Sequence, residues 1–167
     1  LGHTIIVDEG RDCSCGRKGC LETYASVSAV VRTANILLSE SSTDSILRRL
    51  PSDALTGKVI TDAAASGDTL ALEIFDYTAK KLAFSLANAV ALTSPEAIFL
   101  FGGLAKAGDV LLAPTRKYFE NYLLNLYKGK IKIEVSSLTE SNAAILGASA
   151  LVWNEIDKKN NEEFVKI

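Results

Sequence analysis

The chain has 167 residues, the size of one domain or of one part of a larger one. Hydrophobic residues make up 48% and charged residues 23%, a balance that supports a folded core and excludes a disordered chain. A formal charge of −2 leaves no footprint for nucleic acid or an anionic membrane surface, and no apolar run approaches the length of a bilayer span.

All three cysteines and the single histidine lie between His3 and Cys20, in HTIIVDEGRDCSCGRKGC. Three thiolates and one imidazole make a complete ligand set for a closed tetrahedral zinc site: His3, Cys13, Cys15 and Cys20. Gly10, Gly16 and Gly19 permit the tight turns that such a loop needs, and Arg11, Arg17 and Lys18 can offset the charge of the thiolates. The competing reading is three unrelated buried cysteines. A disulfide would strand the third, and Cys13 and Cys15 are too close for an easy bridge. Cysteines set out as metal ligands fit a reducing compartment, and no signal peptide is visible, so a cytoplasmic location is expected.

Within the same stretch the β-branched run Thr4–Val7 predicts a strand. Helical spacing of Leu21, Tyr24, Ala25, Val30 and Ile36 predicts a helix from Leu21 to about Leu38, broken by Ser39 to Ser42. A short helix over 44–50 should stop at Pro51, and Ser52 to Thr61 read as a loop entering another short helix at Asp62. Asp68 is placed to cap the longest helix, which should run to about Leu92 and end before Ser94-Pro95. Leu72, Phe75, Ala79, Leu82, Leu86, Ala89 and Val90 form its expected apolar stripe.

Ala97–Phe101 is a continuous apolar run, expected as a strand buried on both faces. Gly102-Gly103 follow, and Asp109 is the expected cap of a helix to Tyr122. A glycine pair there lets a ligand approach the backbone. Ile131–Val135 alternates, which predicts a strand with one wet face near a sheet edge. Ser141 or Asn142 should cap a last helix rich in small residues, with a charged tail after Trp153 that frays.

Gly2-His3 followed by CSCGRKGCLETYAS, over 13–26, resembles the signature of the ROK family of bacterial sugar kinases and sugar-responsive repressors. Further matching stretches are DAAASGDTLALE, LANAVALTSPEAIFLFGG, AGDVLLAPTRKYF and NAAILGASALV. The resemblance implies an α/β fold, the C-terminal lobe of an actin-like (ribonuclease H-like) ATPase with a zinc-binding loop and added helices. It implies that His3, Cys13, Cys15 and Cys20 hold structural zinc, that His3 and Glu22 contact sugar hydroxyls, and that Gly102 and Gly103 lie along the adenosine of ATP. Without it, Glu22 reads equally as a solvated charge at a helix start.

The implied reaction is glucokinase-like transfer of the γ-phosphoryl group of MgATP to a hexose. The alternative is a repressor whose sugar-binding lobe controls an N-terminal DNA-binding head. The family's catalytic aspartate and Asp-x-Gly phosphate loop match nothing in this chain, so no catalytic residue is assigned. The sequence begins at Leu1 inside the motif, and we expect it to be the C-terminal part of a longer protein. Expected partners are a hexose, ATP and further copies in a homo-oligomer, with no membrane and no nucleic acid contact through this chain.

Overall fold

A computed structural model describes residues 1–138 and 140–164, apart from the side chains of residues 52, 140–144 and 159–164. It has two compact units, residues 1–135 and the segment from Ser136 onward. The first opens with a loop over residues 1–20 and a 3-10 turn, Leu21–Thr23, followed by α1 (Val27–Glu40), α2 (Gly57–Ala65) and α3 (Thr69–Thr93). It closes with β1 (Ala97–Leu100), α4 (Asp109–Tyr122) and β2 (Lys132–Val135).

Asp68 caps α3 as expected, its carboxylate accepting from the Ala71 amide at 2.9 Å. At the far end Ser94 turns left-handed (φ 47°) and Pro95 follows, which stops the helix. α3 packs against α1, α2 and α4, so it is buried on more than one stripe. Leu70, Ile74 and Phe75 are fully enclosed, each worth about 1.5–3 kcal/mol of burial. Leu72, expected on the buried face, instead points outward at 44% exposure.

The predicted helix from Leu21 is two elements. Tyr24 is buried and Ser26 takes over as cap, its hydroxyl accepting from the Ala29 amide at 3.2 Å, so the regular helix starts only at Val27 and continues through Glu40. The helix expected at Asp62 starts five residues earlier, because Thr56 caps it through the Val59 amide. Ile46–Arg49 is a 3-10 turn rather than a helix over 44–50. Asp109 is the first residue of α4 and makes no capping bond; Gly108, at φ 59°, holds the cap position.

β1 and β2 are parallel, in register from Ala97 opposite Lys132 to Leu100 opposite Val135, with α4 as the crossover. Among the described residues these are the two strands of the sheet. One face carries Ile98, Leu100 and Ile133 onto the core. The other leaves Phe99 67% exposed, so β1 is not buried on both faces. β2 keeps its predicted alternation from Lys132 to Glu134, with Ile133 buried between two exposed charges, but Val135, expected on the covered face, is 42% exposed. The expected strand Thr4–Val7 is reduced to one bridge, Ile5 to Cys20, because Ile6 and Val7 both turn their amides onto the Gly19 carbonyl.

The second unit is α5 (Glu140–Phe164). Ser141 and Asn142 lie inside it instead of capping it, and their side chains, with those of Ala143 and Ala144, are outside the described residues. Helix persists beyond Trp153 to Phe164, where fraying was expected. No helix among the described residues is long and apolar enough to cross a membrane.

Candidate metal centre and ligand pockets

The loop of residues 1–20 closes through short backbone bonds. Cys13 N donates to Arg17 O at 2.9 Å, Gly16 N to Cys13 O at 3.0 Å, and Gly19 N to Arg11 O at 2.8 Å. Gly16 (φ 85°) and Gly19 (φ 72°) supply the left-handed turns; Gly10 serves by size, since a Cβ there would lie 2.9 Å from the Gly19 Cα.

These turns bring His3, Cys13, Cys15 and Cys20 together with all four ligand atoms within 4.8 Å of one another. Cys15 Sγ lies 3.6 Å from Cys20 Sγ, and His3 Nδ1 lies 3.6 Å from Cys13 Sγ. Tetrahedral sulfur ligands about 2.3 Å from zinc are about 3.8 Å apart, so the donor set and its spacing fit that ion. The thiols are free, as expected for ligands rather than a disulfide.

The electrostatics are asymmetric. The Arg17 amide, then its guanidinium, hold the Cys15 thiol down to about 6, whereas burial pushes Cys20 up to about 11. A divalent cation would ionise the buried thiol as well. Of the three cations expected to offset the thiolates, Arg17 does so, and it also donates to the His3 carbonyl at 2.6 Å. Lys18 pairs with Glu9 at 3.8 Å, and Arg11 turns away toward Tyr24 and Tyr77.

Glu22 sits exposed in the 3-10 turn directly after the buried residues Cys20 and Leu21. Its amide donates to the Gly2 carbonyl at 2.8 Å, and a Cβ on Gly2 would lie 3.2 Å from its Oε2. Glu22 therefore stands against the residue preceding His3, and the two expected sugar contacts share one edge of the loop.

Elsewhere, a cavity of about 350 Å³ opens between α2 and the 3-10 turn Gly103–Ala107. Gly103, Leu104 and Ala107 line one side, Gly57 and Thr61 another, with Phe75 among its apolar residues. Gly102 adopts φ 103° just before it and has open space where a Cβ would be. The α2 residues were not legible as site candidates because 52–61 read as a loop; the signal was Thr56 as a cap.

The ROK family model matches residues 1–155. The chain belongs to the ROK family. It is 34% identical to a glucokinase of Halalkalibacterium halodurans over 98% of its own length and 51% of that protein's. It is 32% identical to the Escherichia coli DNA-binding transcriptional dual regulator NagC, over 91% of this chain and 36% of that protein. Among solved structures, a ROK glucokinase from Streptomyces griseus in complex with glucose and AMPPNP aligns with TM-score 0.78 at 31% identity, over 90% of this chain and 49% of that one. The chain thus spans about half the length of the glucokinases it matches. ROK neighbours have an actin-like ATPase fold, and this chain has its α/β build with a small parallel sheet.

Proposed function

We propose that this ROK chain is the C-terminal, sugar-binding lobe of a glucokinase-like kinase that transfers the γ-phosphoryl group of MgATP to a hexose. The observation that carries the reading is the convergence of His3, Cys13, Cys15 and Cys20 beside Glu22. In this reading the four ligands hold one structural zinc that braces the loop and uses every protein ligand, leaving no place for a catalytic water. Ligation through His3 Nδ1 leaves Nε2 to donate to a sugar hydroxyl, and Glu22 accepts from another. The Gly102-Gly103 turn and its cavity take the adenosine. Its volume and mostly apolar lining suit a purine. The catalytic aspartate and phosphate-binding loop belong to a preceding lobe, and the protein works as a homo-oligomer in the cytoplasm.

Similarity to NagC favours a second reading, a repressor whose sugar-binding lobe governs a DNA-binding head. A coupled ADP-release assay with glucose, mannose and N-acetylated hexosamines decides between them. Phosphoryl transfer rests on donors around the phosphates, Mg²⁺ and a base at the hydroxyl. The full-length protein should therefore turn over sugar, and residues 1–167 alone should not. Absence of turnover in the full-length protein, with sugar-sensitive DNA binding, would give the repressor. Sugar-dependent turnover by residues 1–167 would overturn the division of labour between lobes.

A further inference from the structure

We propose that Arg11 is a positioning residue that sets the Glu22 carboxylate for sugar binding by clamping the turn that carries it. The inference rests on the reading of Glu22 as a sugar contact. Arg11 lies two residues before Cys13, yet its side chain leaves the thiols and crosses to the Leu21–Thr23 turn. Its Nη1 donates to the Thr23 carbonyl at 2.9 Å and to the Thr33 hydroxyl of α1 at 3.0 Å. Its backbone amide donates to the Tyr24 hydroxyl at 2.9 Å, and its carbonyl accepts from Gly19. The guanidinium lies 4.7 Å from the Tyr24 ring centre and 5.7 Å from that of Tyr77 on α3.

One side chain therefore ties the metal loop, the turn, α1 and α3 together. Glu22 is bracketed: its own amide is fixed by Gly2 O, and the next carbonyl along is fixed by Arg11. A carboxylate that must meet a sugar hydroxyl needs its backbone held to about 0.5 Å, which supports of this kind provide. Both bonds leave the one Nη1, which the planar guanidinium lying over the two rings holds in place. Lysine has no such plane and ends a shorter stem, so its ammonium does not keep both bonds. Thr33 is buried and its hydroxyl also donates to Ala29 O at 2.8 Å, so the far anchor is rigid.

The test is a double-mutant cycle between Arg11→Lys and Glu22→Gln in the full-length protein. Glucose affinity is read by calorimetry, KM for glucose and MgATP by the coupled assay, and zinc by elemental analysis. Arg11→Lys should raise the glucose Kd about tenfold, the lower end of the loss when an outer support of a site is removed. Zinc should stay at one per chain and the KM for MgATP should change less than about twofold. In the Glu22→Gln background the same change should have almost no further effect. Thr33→Val, which removes one acceptor at nearly constant volume, should give the same pattern more weakly. Additive losses in the cycle, equal shifts for glucose and MgATP, or loss of zinc along with glucose would overturn the role of Arg11. An unchanged glucose Kd for Glu22→Gln alone overturns the sugar reading of Glu22 itself.

Discussion

Gly19→Ala should destroy metal binding without touching a ligand. Gly19 precedes the buried candidate ligand Cys20 and holds φ 72°. An added Cβ would fall 2.8 Å from the Val7 carbonyl carbon and closer still to its oxygen, whereas ordinary contact begins at 3.4 Å. The neighbouring atom is backbone, so no rotamer change relieves the overlap, and the strand of loop must retreat by more than about 0.6 Å. Zinc ligand distances tolerate about 0.2 Å. Gly19 also donates to Arg11 O at 2.8 Å and accepts from Ile6 at 2.9 Å, so its displacement moves both arms of the loop. Gly16→Ala is the matched control: it has a similar φ of 85° but nothing within 4 Å of a built Cβ. It should lose only the left-handed penalty of about 1–2 kcal/mol and keep its metal. The assay is zinc per chain by elemental analysis after dialysis, with a thiol-release titration for affinity. Gly19→Ala retaining one zinc at unchanged affinity would refute the loop geometry, as would equal metal loss in the two variants.

Asp68→Ala removes the α3 cap and leaves the buried Ser45 hydroxyl without the acceptor it now has at 2.9 Å, so unfolding stability at neutral pH should drop by about 2–4 kcal/mol in urea titrations followed by circular dichroism. Burial works to raise the Asp68 carboxyl, but the Ala71 and Ile46 amides and Ser45 outweigh it and hold it below the usual carboxylate range. That stability is therefore present above about pH 4, the ordinary aspartate range, and lost as pH falls through the lowered value, so the gap between the two proteins should narrow progressively on acidification below that range. Chelation should raise hydrogen exchange over residues 1–20 while α3 keeps its protection, because the helices around Ile74 and Phe75 have their own core; collapse of the whole helical signal on chelation would contradict that independence.

What the sequence alone determined was local. The clustering of His3, Cys13, Cys15 and Cys20 was legible because three thiols and one imidazole fall within eighteen residues broken by glycines that permit tight turns. Asp68 and Ser94-Pro95 bounded α3 because a cap and a proline act on the three or four residues beside them. The alternation of β2 survived from Lys132 to Glu134 for the same reason, each residue's face being set by its neighbour, whereas Val135 at the strand end is left uncovered.

Tertiary structure decided the rest. Arg11 looked like a counter-charge for the thiols, but its reach to Thr23, Thr33 and Tyr77 depends on α1 and α3 lying beside the loop. The start of α2 at Gly57 was hidden, since a glycine at the first helical position lowers local propensity while packing on Val27 and α3 selects it. A Cβ there would meet Val27 at 2.6 Å. The exposure of Phe99 and Leu72 is likewise a matter of which neighbours arrive. An apolar run specifies that a segment can be buried, whereas the number of faces actually covered is fixed by elements distant in the chain.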